Sequence, residues 1–161
     1  MGEGKSQAIA IKCRLWLEQA FDKQFLGLGP DAALAKAIAG EESGFDPNAK
    51  NPGSSATGLF QFIKGTWDQF GAGGNPRNPD DATAAFSREL GRFRSLGATK
   101  PEEFAMGHHY GEGHLFDPPD ALAQKEAGEA GALRSGGYGA VDVNIKINDK
   151  PAQTIRAPLL R

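Results

Sequence analysis

The stretch that most constrains this chain runs from residue 41 to residue 61. A helix-forming run, Asp31-Ala32-Ala33-Leu34-Ala35-Lys36-Ala37-Ile38-Ala39, leads into Glu41-Glu42-Ser43-Gly44. Residues 46 to 58 then crowd Asn, Pro, Gly and Ser together, a composition that marks an irregular loop. Sixteen positions after Glu42 a glycine opens the turn Gly58-Leu59-Phe60-Gln61. The fold must therefore hold a long loop and an apolar-anchored turn beside the end of a helix. Acidic side chains at a helix C-terminus oppose the macrodipole, which hints that one of them is there for chemistry. Such an arrangement supplies a proton donor and a polar lip for an extended ligand.

The rest of the chain reads as further helices. Residues 7 to 25 place Ile9, Cys13, Trp16, Leu17 and Phe21 at helical spacing, and Gly27-Leu28-Gly29-Pro30 breaks the pattern. Pro30 and Asp31 open the second helix, which ends near Gly44. Gly65 to Phe70 form a short helix capped by Thr66, and residues 71 to 78 a loop. Asp80 to Ser95 carry Ala82, Phe86, Leu90 and Phe93 on one stripe and stop at Gly97. Thr99-Lys100-Pro101-Glu102 fits a capping box that leads a helix to about Tyr110.

Residues 120 to 134, rich in Ala, Gln and Glu, form a modest helix, and Ser135 to Gly139 a flexible link. Residues 141 to 148 alternate strictly with β-branched residues on one face, the pattern of a strand. A lone strand is unstable, so it must pair with this domain, another copy or a partner. The expected architecture is mainly α: a domain over residues 6–118 with a substrate cleft, then a tail over 119–161 containing a short β-strand.

Composition excludes several classes. With 39% apolar and 24% charged residues the chain belongs with soluble globular proteins. A net charge of −2 without a basic block argues against nucleic acid and anionic membrane as partners. No apolar run is long enough to insert through a bilayer. Cys13 is the only cysteine, so no internal disulfide can form. Met1 to Ser6 lack the apolar core of a signal peptide, so delivery to a site outside the cytoplasm would need another carrier.

A general acid that protonates a glycosidic oxygen at neutral pH has to be partly desolvated on a rigid element. Counting back from Glu42 by fours gives Ile38 and Leu34, so Glu42 extends an apolar stripe, but Glu41 lies near the same stripe. Periodicity does not choose between them. Glu42-Ser43-x-Phe45-x-Pro47-x-Ala49 followed by Gly58-Leu59-Phe60-Gln61 resembles the catalytic core of soluble-type lytic transglycosylases of the lysozyme superfamily. Phe60 stands where that family has methionine. The resemblance covers residues 8 to 116, and Ser55 to Trp67 look like the versions carried in bacteriophage tail and tape-measure proteins.

The resemblance implies that Glu42 is the catalytic acid and Glu41 a neighbour. It implies that Ser43 hydrogen-bonds near the acid or the substrate's N-acetyl group and that Gln61 contacts the sugar in the cleft, with Phe62 also a candidate substrate-binding residue at the turn. The family's third motif, Ala-Tyr-Asn-Ala-Gly-x-Gly, carries a tyrosine close to the catalytic glutamate. This chain has Gly107-His108-His109-Tyr110-Gly111-Glu112-Gly113. Aligning the glycines sets His108 at the tyrosine and His109 at the asparagine, whereas a shift by two would use Tyr110. All three are candidate substrate-binding residues.

A rival reading has His108, His109 and His114 binding metal with Glu112, but the spacing fits no familiar zinc site. Neither metal nor cofactor is expected. The resemblance implies cleavage of the N-acetylmuramic acid–β-1,4–N-acetylglucosamine bond of peptidoglycan, with a 1,6-anhydro end as product. Hydrolysis by a muramidase or endolysin, and a non-catalytic peptidoglycan-binding tail module, are the alternatives. The expected setting is a phage virion acting on the host cell wall, with other tail proteins or a second copy as partners through residues 141–148.

Overall fold

In a computed structural model the described residues are 22 and 24–135, together with the backbone of 140–145 and 153–158. Residues 24–26 are helical. Residues 7–21 and 23 of the first expected helix, with Cys13, lie outside the described residues. A short 3-10 turn, Gly29–Asp31, leads into α1 (Ala32–Ser43). Then come α2 (Lys64–Phe70), α3 (Pro79–Ser95), α4 (Pro101–Tyr110), a 3-10 turn Glu112–His114 and α5 (Ala121–Ser135). Strands β1 (Ala140–Ile145) and β2 (Gln153–Pro158) pair antiparallel, with Ala140 opposite Pro158 and Ile145 opposite Gln153. Residues 146–148 lie outside the described residues.

The expected apolar stripe of α1 is in fact its whole circumference: every residue from Ala32 to Ala39 is buried, Lys36 included. A helix apolar all round belongs in the middle of a fold. Lys36 tolerates this position because its Nζ meets Asp22 Oδ1 at 2.8 Å, tying the preceding helical segment to α1. The abundance of alanine leaves room for α5 to pack against α1. Gly44 (φ 60°) ends the helix in the left-handed conformation, with the Gly44 and Phe45 N–H groups donating back to Gly40 and Ala39.

Around α1 the core is aromatic. Phe60 stacks on Phe86 at 4.3 Å between centroids and meets Phe25 edge-on at 6.2 Å. Leu34, Ile38, Leu59, Leu90 and Phe93 complete it, each contributing roughly 1.5–3 kcal/mol by burial. The motif turn is thus pinned through its own Leu59 and Phe60.

Two helix starts differ from expectation. The short helix begins at Lys64, not after Thr66, because the Ser55 hydroxyl accepts from the Lys64 N–H at 2.9 Å. The acid that closes α4 is Glu103, one position beyond Glu102. Its carboxylate accepts from the Thr99 and Lys100 N–H groups at 2.7 and 3.0 Å. Those two bonds, Thr99 first, hold it below the ordinary glutamate range. Helix α5, within the expected tail, is packed into the core: its Ala123, Glu126 and Ala130 are fully buried.

Candidate active site

The cap at Gly44 delivers the end of α1 to a cleft of about 390 Å³. Glu42 lines this cleft with its side chain 21% exposed. Glu41, a helical step away, is paired with Lys125 of α5 at 2.6 Å. Geometry thereby separates two glutamates that periodicity could not.

The facing wall is the turn after the loop. Gly58 has φ 83°, and a Cβ there would collide with the Pro76 carbonyl, so the site admits only glycine. Gln61 also sits in the left-handed region, at φ 46°. Its side-chain amide repays the strain by donating to the Ala49 and Gly58 carbonyls at 3.2 and 2.8 Å. The Ser43 hydroxyl donates toward the carbonyls of Ala39 and Leu59, at 3.0 and 2.8 Å, and so fastens the helix end to the turn. Phe62, 3% exposed, packs on Trp67 and His108 at the cleft floor. Ser43 and Phe62 therefore build the wall, while Gln61 lines it with part of its side chain committed to the loop.

The third motif forms the end of α4. Aligning the glycines sets His108 at the position of the family's tyrosine; in the structure it is His109 that stands beside Glu42. His109 Nδ1 lies 3.0 Å from Glu42 Oε1, and Nε2 lies 2.8 Å from Glu126 Oε2. His108, one residue earlier, projects from another face of the helix. Its Nδ1 is 2.7 Å from Glu89 Oε2 and its Nε2 2.9 Å from the Phe60 carbonyl. Tyr110 is 52% exposed at the rim and donates its hydroxyl proton to Asp120 at 2.6 Å. Asp120 also accepts from the Ala123 N–H, which closes the first turn of α5.

Both histidines have an acceptor on each ring nitrogen, an arrangement that favours the charged form of each imidazole. For His109, burial works against the charge, but hydrogen bonds to Glu126 and Glu42 prevail and push it up to about 10. For His108 burial likewise opposes the charge, and Glu89 outweighs it, raising the group above the ordinary histidine range. Glu126 is fully buried, and its Oε1 has no hydrogen-bond partner among the described residues. Leaving a buried lone pair unsatisfied costs about 1–3 kcal/mol.

Among the described residues, Glu42, His109 and Glu126 alone form a group of three His, Cys, Asp or Glu ligand atoms, all within 4.8 Å of one another, able to hold a metal. The two carboxylates address opposite nitrogens of one ring, and each nitrogen is taken up by a hydrogen bond. The distances are those of a shared-proton chain. The three histidines of the rival metal reading do not converge: His108 is committed to Glu89 and His114 to Asp117. Glu112 is gripped by Arg92 at 2.8 and 3.0 Å, and that hydrogen-bonded pairing holds it below the ordinary carboxylate range.

A helical domain with an acid at the end of its central helix, faced by a glycine-opened turn and a histidine-bearing helix, is the observed frame. Residues 20–117 match the family described as Transglycosylase SLT domain, and the chain belongs to that family. Peptidoglycan is the substrate that this membership implies. No curated protein and no solved structure matches the chain.

Of the interactions at this site, the Glu126 contact was absent from the sequence reading. A signal existed: Glu126 falls between Ala123 and Ala130 at helical spacing, on the apolar face of its helix.

Proposed function

We propose that the protein is a lytic transglycosylase that cuts the N-acetylmuramic acid–β-1,4–N-acetylglucosamine bond and leaves a 1,6-anhydro end. The observation that carries this reading is the Glu42 carboxyl, presented to the cleft by a buried helix and hydrogen-bonded by His109. Glu42 gives its proton to the glycosidic oxygen as the C1–O bond breaks, while the substrate's N-acetyl group supports the sugar cation. The C6 hydroxyl then attacks C1, and its proton returns to Glu42. One carboxyl serves as acid and then as base.

Hydrolysis with two carboxylates across the bond is the general alternative. The other cleft carboxylates argue against it: Glu112 is bound on both oxygens by Arg92, and Glu89 is 1% exposed behind His108. Ser43 and Phe62 act by shaping the wall, and Gln61, His109 and Tyr110 are the residues placed to meet the glycan. We further propose action from a phage virion, on the tail-protein-like wording of Ser55 to Trp67, with residues 141–148 as the contact to other tail proteins or a second copy.

The test is digestion of purified sacculi with the protein and with Glu42→Gln, followed by mass spectrometry of released muropeptides. Anhydro ends lost in the variant are the expected result. Reducing ends would make the protein a hydrolase, and no release would favour a binding module. Copurification with virions tests the setting.

A further inference from the structure

The family match ends at residue 117, yet the site does not. Helix α5, beyond that limit, packs against α1 and α4, the two elements that carry Glu42 and His109. It delivers Glu126 to the far side of the His109 ring, where the carboxylate is shut off from solvent. We propose that Glu126 is a positioning residue of the catalytic site, orienting the His109 ring so that its Nδ1 is fixed on Glu42. This inference rests on the transglycosylase reading.

Charge counting gives it a consequence. The groups facing His109 are Glu42 from α1, Glu126 from α5, Asp120 before α5, and His108 with its partner Glu89. His108 and Glu89 cancel one another, and Asp120 is bound to Tyr110 at the surface. What remains is one imidazolium between two carboxylates within 4.8 Å. Without the Glu126 charge the His109 imidazolium would face Glu42 alone, so Glu126 sets the charge environment of the group proposed to donate to the glycosidic oxygen.

The geometry also fixes the ring. With Nε2–H directed at Glu126, a flip of the imidazole would break both hydrogen bonds, so Nδ1 stays on Glu42. Glu126 never touches substrate; it acts through His109. Among the described residues its Oε1 has no hydrogen-bond partner, so His109 is the group this buried carboxylate addresses.

The experiment is Glu126→Gln in the full chain. Glutamine keeps the shape and can still accept from Nε2, and a melting curve checks that the fold survives. Two measurements are made on wild type and variant: the pH profile of muropeptide release, split into kcat and KM, and the imidazole 15N titration of His109. In the variant, kcat is expected to fall about tenfold or more with KM little changed. The alkaline limb of its profile should move to lower pH, and His109 should lose its proton at least about one pH unit earlier.

An active wild type whose profile and His109 titration are unchanged by Glu126→Gln would overturn the assignment of Glu126 alone. An inactive wild type would overturn the transglycosylase reading, and the catalytic role of Glu126 with it. If Glu126→Gln unfolds, Glu126→Asp provides the second test: it restores charge at a longer reach. An unshifted His109 titration with loss of stability alone would mean a purely structural role.

Discussion

His108 and His109 are chain neighbours with the same local chemistry and opposite assignments. Each ring has both nitrogens engaged, each meets a buried glutamate, and each is favoured in its charged form. The acceptors of His108 are Glu89 and a backbone carbonyl, both interior, so its charge ends inside the protein and ties α4 to α3 and the motif turn. One acceptor of His109 is Glu42, which opens to the cleft. Two imidazoliums a helical step apart thus divide between holding the site and serving it. What matters is where the second hydrogen bond of each ring ends, and neither burial nor charge state reveals that.

The sharpest way to test this division is at its solvent end. Glu42→Gln should cut muropeptide release by roughly 10²- to 10⁴-fold, the usual worth of a positioned acid or base. Its melting temperature should stay close to wild type, because the side chain is partly exposed. Similar loss of stability and activity would erase the distinction between the two histidines.

Next in size is the interior end. Glu89→Ala strands the His108 Nδ1–H in a sealed pocket and should cost about 3–5 kcal/mol in urea unfolding. The residual folded fraction should keep its cleavage chemistry. A stable Glu89→Ala variant would show that the His108 pair is not structural.

A smaller effect comes from pH. The folded value of His109, about 10, lies above its unfolded value near 6.5. Its contribution is therefore fully present below pH 6.5 and lost as pH rises through 10. The unfolding free energy from urea titrations should fall between pH 6 and pH 10.5 by about 1–3 kcal/mol, less than the whole shift would give because solvent screens the partly exposed ring, and His109→Gln should flatten much of that slope. An unchanged slope in His109→Gln would place the titration elsewhere.

The smallest effect is expected at the rim. Tyr110→Phe removes one exposed hydrogen bond to Asp120 and should change stability by about 1 kcal/mol or less. Cleavage should remain within a few-fold of wild type. A large loss of kcat would instead favour the shifted register, in which Tyr110 stands for the family tyrosine.

The helix end, the loop and the turn were legible because they are local. A helix end, a glycine with a forced conformation and apolar anchors all leave their mark within a few residues. The stripe Ala82, Phe86, Leu90, Phe93 likewise foretold the buried face of α3. The histidine register was not legible, because aligning glycines counts residues and says nothing of which helix face meets α1. Glu126 escaped for another reason. Its partner is 17 residues away across a turn, and its helix has few large apolar residues to announce a core. Both Glu89 and Glu126 occupy apolar-face positions, and a charge in such a place is the trace that long-range pairing leaves in a sequence.

The contact between Gly58 and Pro76 reaches beyond the conformation of one turn. Two loops distant in the chain meet there backbone to backbone, with no side chain to adjust between them. Neither loop can drift in sequence independently, so an insertion in residues 71–78 is felt directly at the glycan lip. Variation is steered toward the exposed outer loop at Pro52 and Gly53, and away from the turn that faces Glu42.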